Sequence, residues 1–118
     1  MTSMKESLAE RRHALKVARE SIKCIPNIAD GKKKSVDQRI TLADYLIQAA
    51  LFADVGITTK ELASLLKLSV PSTYDRLKFF SDIGLLKKQQ VGRTVMLSMN
   101  LDALAEVAAT SLPSNTQP

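Results

Sequence analysis

Apolar positions recur with a helical period at the start of the chain. One stripe runs along residues 3–25 at spacings of seven, three, four and three, and its members are Leu8, Leu15, Ala18, Ile22 and Ile25. Ser3 and Glu6 form an S-x-x-E capping box, which is typical of a helix start, and Pro26 would end the helix. The pattern therefore predicts a helix over residues 3–25, with an apolar face that Arg11 interrupts.

A second, more apolar helix is predicted after a polar connection. Residues 26–35 contain Pro, Asn, Asp-Gly and a basic triplet, a composition typical of a linker. Residues 36–55 carry apolar side chains nearly all round a helix, so we expect a helix that is covered on more than one side. Gly56 follows, where a glycine is a good C-terminal cap.

Two shorter helices are predicted next, separated by a tight turn. Thr58 and Glu61 form a capping box for a helix over residues 59–67. Ser69 can cap a further helix, which we expect to run through residue 83. Two helices joined by so few residues form a helix-turn-helix pair.

Strand patterns then replace the helical ones. Residues 85–90 and 93–99 are predicted as two strands around a turn at Val91-Gly92, and the second strand alternates apolar and polar side chains. Asn100 can cap a last helix over residues 101–109. The fold class that follows is mainly α with a small β-hairpin wing (α+β).

This order of elements carries a recognisable set of residues. They are Glu61-Leu62-Ala63, Leu68-Ser69, Ser72-Thr73, Leu77-Lys78, Gly84-Leu85-Leu86 and Gly92-Arg93. With them, residues 58–100 resemble the winged helix-turn-helix of the MarR and ArsR transcriptional regulators. The resemblance implies a DNA-binding domain, and MarR-type proteins dimerise through helices that flank this domain.

The charge distribution agrees with binding to a polyanion. The net charge is +5 and the sequence pI is about 9.5, in the range associated with nucleic-acid binding. Residues 1–39 hold ten Lys or Arg against five Asp or Glu and carry the whole excess, whereas residues 40–118 are neutral. We therefore expect the N-terminal part to contribute to any phosphate-binding surface.

Within the second helix of the pair, helical spacing separates an inner from an outer face. Thr73, Leu77 and Phe80 should face inward, and Tyr74, Asp75 and Lys78 outward. The predicted DNA-binding residues are Lys60, Ser72, Thr73, Tyr74, Asp75, Arg76, Lys78, Lys87, Lys88 and Arg93. An arginine can bind guanine with two hydrogen bonds, an aspartate can accept from cytosine, and lysines suit phosphates.

Each of these assignments has a simpler alternative. Arg76 and Asp75 can be a solvated surface pair, and Tyr74 can fold back on its own helix. Lys87 and Lys88 can protect a hairpin edge, as lysines often do. The basic triplet at residues 32–34 fits a solvated linker better than a binding site.

Three segments divide the predicted chain. Residues 1–35 are expected to be an N-terminal helix and basic linker that form a dimerisation arm, and residues 36–109 the winged helix-turn-helix. Residues 110–118 are polar and expected to be disordered. The stripe of the first helix can instead pack onto its own domain. A two-fold dimer would bind an inverted-repeat DNA site.

Composition argues against several other classes of protein. The single histidine, His13, and the single cysteine, Cys24, lie too far apart along one helix to form a dyad, and zinc sites need more such ligands. No phosphate-binding glycine motif and no membrane span are present, and the first residues lack a signal-peptide pattern. We therefore expect a cytoplasmic protein with no enzymatic activity, no metal and no cofactor.

Three functions remain open from the sequence. The leading hypothesis is a homodimeric repressor that binds double-stranded DNA in a sequence-specific way. The second is a partition or replication adaptor of a plasmid or mobile element, which would bind repeated DNA sites and recruit an unknown protein partner. The third is a winged-helix module for protein–protein contact that has lost DNA binding.

Overall fold

The computed structural model describes residues 4–25, 28, 31–53 and 56–111. Within them the chain is mainly helical with one antiparallel hairpin, which confirms the α+β class. The elements are α1 (Met4–Ile22), α2 (Lys33–Phe52), α3 (Thr59–Leu66), α4 (Val70–Asp82), β1 (Leu86–Val91), β2 (Thr94–Met99) and α5 (Leu101–Ser111). The predicted Ser3–Glu6 capping box, Pro26 and residues 112–118 lie outside the described residues.

The helix order is as predicted, but several boundaries differ. Helix α1 ends at Ile22 and not at residue 25, and α5 continues to Ser111, so residues 110 and 111 are helical and do not belong to a disordered tail. Both boundaries of α2 also differ. This helix begins at Lys33, so residues 33–35 belong to its first turn and not to the linker. It ends at Phe52, with Ala53 as an extended C-terminal cap, so Gly56 does not end it. The predicted start failed because Lys33 and Lys34 carry no apolar periodicity, although lysine is a good helix former.

Helix α1 belongs to the core of its own chain. Ala18, Ile22 and Ile25 from the predicted stripe are buried, and Leu15 packs against the same core. Arg19 of α1 also pairs with Asp44 of α2, with its Nε 2.5 Å from Oδ1. These four residues of the stripe therefore pack on their own domain, which is the alternative that the sequence left open.

Helix α2 is the centre of the molecule, as its apolar surface predicts. It packs against α1, α3, α4 and β2. Four of its side chains, Leu42, Ala43, Leu46 and Ile47, have no exposed surface. Around them the buried core is completed by Ile28, Leu62, Leu77, Phe80, Leu85, Leu97, Met99 and Leu104. One continuous core thus holds every helix and the hairpin.

Side-chain caps fix where the later helices begin. The Thr58 hydroxyl accepts from the Glu61 amide at 3.1 Å, and the Ser69 hydroxyl accepts from the Ser72 amide at 3.2 Å. Asn100 Oδ1 accepts from the Ala103 amide at 3.1 Å at the start of α5. Each bond satisfies an amide that has no partner inside the helix. The N-terminal caps predicted at Thr58, Ser69 and Asn100 are therefore confirmed.

Gly56 has a different role from the predicted one. Its φ is +104°, and a Cβ there would lie 2.5 Å from the Leu97 carbonyl oxygen. The next residue, Ile57, exchanges two backbone hydrogen bonds with Leu97, at 2.8 and 2.7 Å. Only glycine allows this close approach, which ties the connection between α2 and α3 to strand β2.

Candidate nucleic-acid interface

Helices α3 and α4 form the predicted pair with a turn of three residues. Lys67 ends α3 in the left-handed conformation, at φ 58° and ψ 42°, and the Leu68 amide bonds back to the Ala63 carbonyl. Ser69 then caps α4. This backbone reversal at a helix C-terminus satisfies carbonyls that the helix leaves unpaired.

The inner face of α4 is the one that spacing predicts. Thr73, Leu77 and Phe80 are buried. Thr73 has no exposed surface, and its hydroxyl donates to the Ser69 carbonyl at 2.9 Å. Its place among the predicted DNA-binding residues is therefore wrong, because a side chain closed inside the helix pair cannot reach a ligand.

The outer face of α4 is also as predicted. Tyr74, Asp75 and Lys78 are exposed, and Tyr74 keeps 59% of its surface accessible, so it does not fold back on its helix. Ser72 and Arg76 are half-buried on the flanks. The exposed side chains supply an aromatic ring, a carboxylate acceptor and a cation.

Arg76 is held by α2 instead of extending away from the protein. Its Nε and Nη2 atoms donate to Gln38 Oε1 at 3.0 and 2.6 Å. Nearby, the Arg39 guanidinium lies 4.5 Å from the centre of the Phe79 ring. These two contacts attach one flank of α4 to α2. Sequence spacing gives no sign of them, because the partners are about forty residues apart.

The lysines of the hairpin point to opposite faces. Lys88 pairs across the hairpin with Leu97 and Lys87 with Ser98, and neighbouring residues of a strand face opposite sides. Lys88 lines a groove beside α4, whereas Lys87 lines a cavity beside the C-terminal end of α2 and the start of α5. The two residues cannot contact one flat surface together.

The tip of the hairpin is a two-residue turn at Gly92-Arg93, one residue later than the predicted Val91-Gly92, because Val91 pairs with Thr94 as the last residue of β1. Gly92 has φ +61°, and Arg93 does not share a positive φ, which fits a type II′ turn. Arg93 is exposed there, and Lys60 is exposed on α3. Both positions leave a cation accessible on the outside of the molecule.

A groove of about 330 Å³, here called the hairpin groove, separates α4 from the hairpin. Tyr74, Lys78 and Ser81 line one side, and Lys88 and Val95 line the other. Two lysines thus face a shared space next to the exposed aromatic ring. Of the predicted DNA-binding residues, the groove brings together Tyr74, Lys78 and Lys88.

The remaining described residues offer little other chemistry. No three His, Cys, Asp or Glu side chains converge in the described part of the chain, and no described helix is long and apolar enough to cross a bilayer. The hydrogen bond to Asp44 raises the pKa of Arg19, because the carboxylate of this surface ion pair between α1 and α2 stabilises the charged guanidinium.

The sequence matches no protein-family model and no curated protein. The function must therefore be argued from the geometry of the site.

Proposed function

We propose that this protein is a winged helix-turn-helix that binds double-stranded DNA in a sequence-specific way and acts as a homodimeric transcriptional repressor. In this proposal α4 enters the major groove, α3 braces it, and the hairpin is the wing. The chain acts without a cofactor, and its chemistry is recognition of bases and phosphates.

The observation that carries the proposal is the exposed face of α4 beside the hairpin groove. Tyr74, Asp75 and Lys78 are exposed on a helix whose opposite face is buried, and Lys88 faces them across the groove. A helix with its side chains is about 10–12 Å across, close to the width of about 12 Å of the major groove of B-DNA. A protruding helix with polar, aromatic and basic side chains is suited to that groove.

The side chains divide into two kinds of contact. Ser72, Tyr74 and Asp75 lie in the N-terminal half of α4, the part of a recognition helix that reaches base edges. Lys60 and Lys78 are cations on the outer faces of the two helices and suit phosphates. Arg76 is assigned to neither kind, because Gln38 holds its guanidinium.

The wing adds positive charge on one side of α4. Lys88 faces the hairpin groove, and Arg93 stands at the exposed tip, where an arginine can enter a narrow minor groove. Lys87 lies on the other face of the hairpin, away from the hairpin groove. It would contact only phosphates that lie on that face. We therefore rank Lys88 and Arg93 above Lys87 as wing contacts.

The dimer of this proposal needs a surface other than the buried stripe of α1. The outer side of α1 supplies one, since Val17 is 48% exposed there. Val17, His13, Leu101 and Ala105 line a mainly apolar groove of about 270 Å³ between α1 and α5. A second copy seated on this surface would give two recognition helices and an inverted-repeat DNA site.

Selection from a library of randomised duplexes tests this function. The wild-type protein should enrich one inverted-repeat motif, and Asp75→Ala should relax the preference at one position in each half-site by about 1–3 kcal/mol. Glu20→Ala, which removes an exposed carboxylate from α1, is the matched control and should enrich the wild-type motif. Recovery of random sequence by the wild type would rule out sequence-specific binding.

A further inference from the structure

A second surface with clustered lysines lies beside α4, on the side away from the hairpin groove. The first turn of α2 and the end of α3 enclose a cleft of about 540 Å³, here called the basic cleft. Its lining holds three lysines, Lys33, Lys34 and Lys67, against one carboxylate, Asp37. All three lysines are exposed.

The basic cleft and the hairpin groove lie on opposite sides of α4. Tyr74 and Lys78 line the hairpin groove, whereas Arg76 contacts Gln38, which lines the basic cleft. Position 76 is two residues from both 74 and 78, which is about 200° round a helix. The hydrogen bonds of Arg76 therefore attach the cleft to the flank of α4 that faces away from the hairpin.

We propose that the basic cleft binds the DNA phosphate backbone, through Lys33, Lys34 and Lys67, on the side of α4 opposite the hairpin. This inference rests on the proposed DNA binding and deepens it. A helix that lies in the major groove has one phosphate backbone on each side, because the groove is bounded by both strands. The hairpin supplies cations to one strand, and the basic cleft supplies them to the other.

Part of the N-terminal excess of positive charge lies in the basic cleft. Residues 1–39 carry the whole net charge of +5, and the structure places Lys33 and Lys34 of that segment next to Lys67 of the helix pair. Two separate parts of the chain thus contribute cations to one surface. A polyanion is the ligand whose charge complements it.

The test is the salt dependence of duplex binding, measured by fluorescence anisotropy at several salt concentrations. The double variant Lys33→Ala/Lys34→Ala should make the slope of log K against log salt less negative by about 1–2, since each lost phosphate contact removes about 0.9. Its affinity should fall by the same factor for selected and random duplexes. Removing cations from the positive end of the α2 dipole should not unfold the helix.

A second variant addresses the other wall of the cleft. Lys67→Gly removes the charge and keeps the left-handed backbone at φ 58°, which glycine adopts without strain. It should reduce the steepness of the salt slope by about 0.9, and Lys67→Arg should restore the wild-type slope. Thermal melting followed by circular dichroism checks that each variant is folded.

The control is the double variant Arg12→Ala/Lys16→Ala, which removes two exposed cations from α1. It should keep the wild-type slope. If it makes the slope less negative by as much as the cleft variant does, the change in slope reflects net charge alone and the basic cleft does not contact the DNA. If the cleft variants bind with the wild-type slope, the inference is wrong while DNA binding stands. Failure of the wild type to bind any duplex would instead overturn the proposed function.

Discussion

At the scale of single residues, the side chain of Arg76 shows why a position on a helix does not fix a role. The sequence places it beside the outer face of a recognition helix, where it suits a guanine. In the structure its Nε and Nη2 atoms both donate to Gln38, and Asp75 beside it is not its partner. Arg76 attaches α4 to α2. Under the proposed function it is therefore a positioning residue, and base reading would fall to Ser72, Tyr74 and Asp75.

A double-mutant cycle tests this role of Arg76. Arg76→Ala and Gln38→Ala should each weaken binding to all duplexes alike, because both loosen α4 without touching a base. Their effects on the free energy of unfolding should be coupled by roughly 0.5–3 kcal/mol, the range for residues in direct contact. The measurements are denaturant unfolding and selection from the duplex library. A relaxed preference at one base with Arg76→Ala, but not with Gln38→Ala, would return Arg76 to base reading.

At the scale of elements, the sequence predicts most of the fold. The caps at Thr58, Ser69 and Asn100 have local signatures of three or four residues, so they could be identified without a structure. The start of α2 at Lys33 could not, because nothing apolar marks it. The Ile57–Leu97 bridge was also missed, since it joins residues forty positions apart and no local pattern encodes that contact.

The candidate site was less predictable than the fold. Burial of Thr73 and exposure of Tyr74 follow from helical spacing alone. The partner of Arg76, the opposite faces of Lys87 and Lys88, and the joining of Lys33 with Lys67 depend on how distant elements pack. Local sequence determines which side of a helix a residue occupies, but tertiary packing determines which residues of other elements it contacts.

The close approach at Gly56 gives a prediction at this scale. Gly56→Ala should destabilise the protein by about 2 kcal/mol or more, because it adds a positive-φ penalty to a clash with the Leu97 carbonyl. Gly92→Ala is the matched control: its φ is also positive, but a Cβ there meets nothing within 4 Å. It should cost only about 1–2 kcal/mol. Urea unfolding of both variants makes the comparison, and equal losses would contradict the role assigned to Gly56.

At the scale of the whole molecule, α1 is part of the fold and not an appended arm. Its buried residues share one core with α2 and α5, so a boundary at residue 35 does not separate two packing units. The surface that α1 leaves exposed lies on its other side, around Val17. A dimer contact of α1 would therefore use exposed side chains such as Val17 and not the buried Ile22 and Ile25 of the stripe.

Two charge substitutions in α1 test whether the stripe packs in the core of its own chain or contacts a second chain. Ile22→Glu should destabilise the monomer by about 3–5 kcal/mol, because Ile22 is 4% exposed and the carboxylate would be buried without a partner. Val17→Glu, at a residue that is 48% exposed, should leave the fold intact. Thermal melting and sedimentation distinguish the outcomes. A stably folded, monomeric Ile22→Glu variant would show instead that the stripe holds a second chain.

The salt dependence of wild-type binding to duplex DNA tests the central claim most directly. A helix in the major groove with basic features on both sides should contact several phosphates, and five or six contacts would give a slope of log K against log salt near −5. We expect log K to fall linearly and steeply with log salt between about 50 and 200 mM salt. Affinity that does not change with salt, or no binding at the lowest salt, would contradict it.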